Sequence, residues 1–370
     1  MPVADAVQEA SRDAVVDGTA GMPDGTLARM LAASAERPVA QAALARVLLA
    51  KGKMDQAERV ALDVWHRAAA GSEAAVYAQE VLGERVPRWH PALVRDAVRN
   101  DAYEAALKRV VRPGMRILDI GSGTGLLAML AARAGAAEVF TCEMNPAVAR
   151  VAEEIVAANG LAGRVRVLGV HSSEIDAERD LGGRVDVIVS EIVSNQIVDE
   201  GVLPTMEHAV RDLLKPGGVM IPASGRVMVA LAFDGELARH RVGWASGFDL
   251  SRFDRLTPLS YGADAMRAGI ELRSSTGAMF DFDFAAAVPV REGSAAVGVT
   301  GLGGTANVVA QWIRLRMDET GVYENAPGTI EDSCWAVRLH PLPEEVRLEA
   351  GEGFVIHGSH DRQRLRVWTR

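Results

Sequence analysis

The 370-residue chain reads as α/β, with an open parallel sheet at its centre, a β-rich segment after it and helices ahead of it. Three observations carry that expectation. A strand, a glycine-rich turn and a helix follow one another between Met115 and Ala132; a second apolar run, Val185–Ser190, ends in polar residues; and beyond residue 222 the pattern changes to short alternating strands such as Arg226–Leu231 and Met279–Phe284.

Taken in order, residues 25–84 are alanine-rich with helical period, and Leu44, Val47 and Leu48 face Ala57, Val60, Ala61 and Val64 across Lys51-Gly52-Lys53. This predicts a helical hairpin like one tetratricopeptide-type unit, an appendage rather than a stacked array, because such arrays need about three repeats. Residues 1–24 show no sustained period and are expected to be partly disordered. The next strand, Met115–Ile120, runs into Gly121-Ser122-Gly123-Thr124-Gly125 and the helical stretch Leu126–Ala132. Glycines let the backbone take positive φ and pass close beneath a ligand, and the free N–H groups of the following helix favour negative charge. A further strand, Glu138–Cys142, ends in Glu143, about twenty residues past the glycines, where a carboxylate can accept both ribose hydroxyls of a nucleotide-like cofactor.

A dinucleotide dehydrogenase would show the same elements. Leu126 stands where the dinucleotide fingerprint places its third glycine, however, and Asp119 precedes the first glycine by two residues. S-adenosylmethionine fits better, since it has no pyrophosphate and its cationic groups suit a pocket near Asp119; a bracing role for Asp119 is the plainer alternative. After Val185–Ser190, Glu191 and Glu200 bracket the polar Ser194-Asn195-Gln196. Loops at the carboxyl ends of parallel strands are where open α/β sheets bind ligands.

With these residues in hand the chain resembles the protein arginine methyltransferase family, particularly its seven-type and nine-type branches, over about Val86 to Arg370. The resemblance implies a Rossmann-like class I methyltransferase domain at 85–222 and a β-barrel substrate domain at 223–370, after the N-terminal helical region that the helical pattern places at 1–84. It makes Trp89–Asn100 a cofactor-covering helix from which His90 and Arg99 face the methionine end of S-adenosylmethionine, Arg99 gripping its carboxylate. Asp119, Gly121, Gly123 and Glu143 join the cofactor set, with Ser172, Ser173 and Glu174 on the adenine side, although that serine pair also reads as an ordinary helix cap. Glu191 and Glu200 become the paired catalytic glutamates, and Asn195 and Gln196 belong to the substrate loop. Asp332-Ser333-Cys334-Trp335 is similar to the family's threonine-histidine-tryptophan loop, so Trp335 is expected to wall the guanidinium by cation–π contact. Cys334 stands where the family has histidine, which removes a charge relay through that position. An arm near 234–260, with Trp244, Phe248 and Phe253 as anchors, implies a homodimer.

The expected reaction is methyl transfer to a guanidino nitrogen of free or protein-bound arginine, giving the monomethylated product. The alternatives are an N-methyltransferase for another acceptor, such as a ribosomal-protein lysine or a small amine, and a non-catalytic helical-repeat binding module. A net charge of −9 with no basic stripe argues against a nucleic-acid partner. No apolar run reaches membrane-spanning length and no secretory signal opens the chain, so a cytoplasmic enzyme is expected. Two cysteines, Cys142 and Cys334, are too few and too distant for a disulfide framework or a structural zinc site, and no metal is expected.

Overall fold

The computed structural model describes residues 29–30, 32–84, 86–87, 89–267, 269–286, 288–330 and 333–369. The expectation for residues 1–24 and the position of Asp332 lie outside them.

Strands β1 (Arg116–Ile120), β2 (Glu138–Cys142), β3 (Val165–Leu168), β4 (Val185–Ser190) and β5 (Leu214–Ile221) pair in parallel in the order β3-β2-β1-β4-β5. Helices cover both faces of such a sheet, which is why β1 and β4 are nearly continuous apolar runs: Ile117, Leu118, Val187, Ile188 and Val189 are wholly buried. The chain reverses direction across the sheet between β1 and β4, and that switch point opens a crevice at the strands' carboxyl ends. The glycine turn, Glu143 and Glu191 all sit on that edge.

The expected single helix over Trp89–Asn100 is two. His90–Arg95 is one short helix and Ala97–Val110 the next, because Asp96 takes an extended conformation and its Oδ1 accepts the Arg99 N–H at 2.8 Å, a side-chain cap. Ahead of them, Pro38–Ala50 and Met54–Arg67 form the expected hairpin, and a third helix, Glu73–Gly83, packs on both. Ala42, Leu48, Ala61, Val64, Ala78 and Val81 make a core of their own. Val47, assigned to the apolar face by its spacing, is instead exposed.

The β part comprises β6 (Ser224–Asp234), β7 (Trp244–Ala245), β8 (Phe248–Asp249), β9 (Tyr261–Ala263), β10 (Ile270–Leu272), β11 (Gly277–Asp283), β12 (Gly293–Thr300), β13 (Gly304–Arg316), β14 (Val322–Glu324), β15 (Val337–Leu348), β16 (Gly353–His360) and β17 (Leu365–Thr369). Its barrel is built from two antiparallel sheets, one centred on β6-β13-β15 and one ordered β12-β16-β17, with β11 lying against β12 and β15 against β17. One hydrophobic core runs from β4 through Ile197, Val198 and Leu203 to Val227, Phe282 and Leu315, so the parallel sheet and the β part share a single interior.

Candidate active site

A cavity of about 570 Å³ fills the crevice and is lined by His90, Arg99, the Gly121–Thr124 turn, Glu143, Ser172, Glu191 and Glu200. The glycine turn is built for close approach. Gly121 has φ 89° and a Cβ there would lie 2.7 Å from Ile192 Cγ2; Gly123 has φ 50° and a Cβ would meet the His90 ring at 3.1 Å. Any larger residue would close the cavity or strain the turn. Glu143 is fixed from both sides, its Oε2 accepting the Gly123 N–H at 3.1 Å and its Oε1 the Asn145 N–H at 2.9 Å. Each oxygen keeps a further lone pair for a ligand. The Ser122 hydroxyl, buried on the same wall, has no hydrogen-bond partner among the described residues.

Arg99 lies beneath this wall with its side chain 3% exposed, and its Nη1 donates to Glu191 Oε2 at 2.6 Å. Its Nε and Nη2 donate to Asn100 Oδ1, and Asn100 in turn donates to the Val94 carbonyl at 2.8 Å, tying the guanidinium to the short helix that roofs the cavity. Asn100 was not singled out from sequence, since an asparagine beside an arginine carries no signal before the backbone is known. Burial pushes the Glu191 carboxyl up to about 8, with Arg99 pulling downward and Glu200, Asp119 and Asp96 adding to the rise. Burial also raises Glu200. The His90 imidazole is lowered by burial against the pull of Glu143, with Arg99 lowering it further, so it is neutral.

Other expected site residues stand apart from the cavity. Asp119 is fully buried behind the turn, where Oδ2 accepts the Thr141 hydroxyl at 2.8 Å and burial raises its carboxyl to about 7. It braces β1 against β2 and does not line the cavity. Ser173 and Glu174 are exposed outside the cavity, while Ser172 and its neighbour His171 line it. Asn195 and Gln196 bond to the β part, Asn195 through its backbone carbonyl, which accepts Gln311 Nε2 at 2.6 Å, and Gln196 through Oε1, which accepts the Leu365 N–H at 3.2 Å. Trp335 is 4% exposed, and its ring N–H donates to the Val193 carbonyl at 2.8 Å. It holds the glutamate loop from behind rather than walling the cavity.

Cys334 works through its backbone. Its N–H donates to Asp96 Oδ2 at 2.9 Å, and Tyr323 OH reaches the same oxygen at 3.4 Å. Burial, with the Glu191 and Asp96 carboxylates adding, pushes the Cys334 thiol far above its ordinary value, so it stays a neutral thiol. Asp96 therefore caps one helix and anchors the 333–335 turn at once, which spacing alone did not reveal. The loop between the glutamates is pinned by Ile197, whose φ of 67° is costly for a β-branched residue and whose side chain is wholly buried. Next to Glu200, Asp199 takes the Ser194 hydroxyl on Oδ1 and Gln196 Nε2 on Oδ2, and burial raises it to about 6.

An arginine N(omega)-methyltransferase of Streptomyces achromogenes subsp. streptozoticus is 38% identical to this chain over 282 residues, covering 75% of this chain and 77% of that protein. The chain belongs to the arginine N-methyltransferase family. Xenopus laevis protein arginine N-methyltransferase 9 is 36% identical over 151 residues, and Oryza sativa subsp. japonica protein arginine N-methyltransferase 7 is 30% identical over 260. Those matches span 18% and 36% of the two relatives' lengths. The family model of ribosomal protein L11 methyltransferase (PrmA) matches residues 104–228, which hold the parallel sheet. The fold matches the Trypanosoma brucei PRMT1 enzyme-prozyme heterotetrameric complex with AdoHcy at a TM-score of 0.66, with 22% identity over 75% of this chain and 90% of that one. Arabidopsis thaliana protein arginine methyltransferase 10 gives a TM-score of 0.62 at 20% identity, covering 72% and 86%.

Within this family member the cavity fits an S-adenosylmethionine-sized ligand. Its volume lies inside the usual range for small-molecule sites, about 300–1,000 Å³. The orphaned Ser122 hydroxyl, the glycines that a Cβ would obstruct and the doubly braced Glu143 all point at one ligand-sized space. Among the described residues no group of histidine, cysteine, aspartate and glutamate could hold a metal ion, and no helix is long and apolar enough to cross a membrane.

Proposed function

We propose that this chain transfers a methyl group from S-adenosylmethionine to a guanidino nitrogen of arginine, with Glu191 and Glu200 holding the acceptor. The observation that carries this reading is that both glutamates line the same cavity as the glycine turn and Glu143. Glu143 would take the ribose hydroxyls, and Arg99, with N–H groups beyond those given to Glu191 and Asn100, would take the methionine carboxylate. Bound S-adenosylmethionine supplies an electrophilic methyl group on a sulfonium.

The residues' task follows from the acceptor. A guanidinium is a poor nucleophile because its charge is spread over three nitrogens and its pKa exceeds about 12. Glu191 and Glu200, each accepting N–H bonds, draw the positive charge toward the nitrogens they hold and leave the remaining one richer in electrons. Arg99 keeps Glu191 in place, and Trp335 and Ile197 keep the loop rigid, so the acceptor is positioned and no strong base is required. The proton released on methylation leaves through Glu200, the glutamate on the solvent side.

The product is Nω-monomethylarginine, and the acceptor is free arginine or arginine in a protein. Mass spectrometry after incubation with labelled cofactor, free arginine and an arginine-rich peptide in parallel identifies acceptor and methyl count together; labelling of a lysine or amine in place of arginine overturns the reading. The enzyme acts in the cytoplasm without a nucleic-acid partner, in keeping with a net charge of −9. It acts as a homodimer through the 234–260 arm, where Trp244, Phe248, Leu256 and Leu259 are 74%, 69%, 77% and 83% exposed, an apolar surface that a second copy would cover.

A further inference from the structure

A second cavity, of about 500 Å³, opens at the opposite end of the parallel sheet, beside the amino ends of β1, β2 and β3, and shares no lining residue with the first. It exists because the crossover from β3 to β4 carries a single 3-10 turn, Ser172–Glu174, and the five-residue helix Ala177–Leu181, too short to cover that part of the sheet. Four arginines line it, Arg116, Arg164, Arg166 and Arg179, against two carboxylates, Glu138 and Asp180. In a chain of net charge −9 this is a local reversal of sign.

The four arginines are not equivalent. Arg116 is structural: it pairs with Glu138 at 3.1 Å, lies 5.5 Å over the Phe140 ring, and donates to the Gly182 carbonyl at 3.1 Å, fixing the end of the short helix. Arg179 is paired with Asp180 at 2.7 Å. Arg164 and Arg166 form no direct ion pair with a carboxylate among the described residues, although the Arg166 charge helps hold the Asp180 carboxyl low; Arg164 donates to the Ala132 carbonyl at 3.1 Å, and Arg166 reaches the Asp180 carbonyl at 3.5 Å. Both are exposed at the mouth of the cavity, with most of their fork of donors unused.

We propose that this cavity is a binding site for a phosphorylated small molecule, with Arg164 and Arg166 gripping the phosphate groups and the Arg116-braced wall fixing their position. Planar, permanently charged forks bind phosphate bidentately, and two forks that make no direct carboxylate ion pair at one cavity mouth suit a diphosphate better than a single carboxylate. The site is separate from methyl transfer, so its occupancy is read without assaying activity.

The test is calorimetric titration of pyrophosphate, and separately ADP, into protein saturated with S-adenosylhomocysteine, so that an adenine-bearing probe cannot enter the first cavity. Saturable binding is expected. It should weaken at least tenfold in the Arg164→Ala/Arg166→Ala variant. It should also weaken in Gly163→Trp, which fills the cavity at a residue whose Cβ meets nothing within 4 Å. The Arg347→Ala/Arg364→Ala variant, which removes the same charge from the β part, should bind as the parent does. Absence of saturable binding below about 10 mM overturns the proposal. So does equal weakening in the distant double variant, which would mean diffuse attraction, or saturation by an aspartate-rich peptide in place of either phosphate compound.

Discussion

Glu191 carries two burdens, a buried ion pair with Arg99 and a carboxyl raised to about 8. The raised value has a defined sign. Between the ordinary glutamate range and about 8 the folded protein holds a proton that the unfolded chain has lost, so this residue's contribution to stability is complete at low pH and declines as pH climbs through that window. Thermal melts from pH 5 to 9 should therefore show a falling midpoint, and Glu191→Gln should flatten the fall. Catalysis runs the other way. The acceptor is bound by ionised glutamates, so kcat/KM for arginine should rise with pH to a plateau above about 8, with the midpoint set by the free enzyme. Glu191→Gln and Glu200→Gln should each lower kcat by about 10²–10³-fold while the circular dichroism spectrum is unchanged; near-normal turnover in both would remove the proposed mechanism. At this scale the sequence was informative where spacing encodes geometry. The glycines, Glu143 and the glutamate pair all meet at the cavity because each sits at a strand end, and strands were legible. That the Trp335 ring N–H turns to the Val193 carbonyl was not legible, because identity alone does not say which way a side chain turns.

Between residue and fold, the element that resisted reading is the Trp89–Asn100 stretch. Its helical period is real, yet Asp96 divides it, because a carboxylate that can cap the next helix and receive the Cys334 N–H gains more there than in a helix interior. That second bond comes from a residue 238 positions away, and no local pattern reports it. Asp96→Ala should lose about 1–3 kcal/mol, the cost of a cap together with orphaned buried donors. Cys334→Ser should melt within about 0.5–1 kcal/mol of the parent, because the bond belongs to the backbone. Chemical denaturation of the two variants distinguishes this arrangement from one in which the thiol matters. The glutamate loop depends on Ile197 in the same way: Ile197→Ala should destabilise by about 2–5 kcal/mol and lower kcat, having emptied the socket that aligns both acids.

For the whole molecule, the order of the parts was legible and their joints were not. Alternating strands announced the β part, but its two-sheet construction arises from long-range pairings such as β12 with β16, which periodicity cannot display. The third N-terminal helix, Glu73–Gly83, was missed as a separate element because its alanine-rich sequence offers few large apolar markers. The arm is the feature with the largest consequence for assembly. Trp244→Ser with Phe248→Ser should shift the species seen by light scattering from dimer to monomer, and a parent protein that is monomeric at every concentration would remove the homodimer from the proposal.

The interior that runs unbroken from Val189 to Leu315 also sets how the protein comes apart. Cutting after residue 222 would strip the sheet half of the wall that seats Ile197 and leave bare oil facing water, so the fragment should precipitate rather than bind cofactor. The helices at 38–83 have an apolar core of their own and meet the sheet half mainly where Met54–Arg67 packs on Pro146–Ala158, so they should melt first and leave a folded remainder. Heat should consequently produce a small early step followed by one large cooperative collapse.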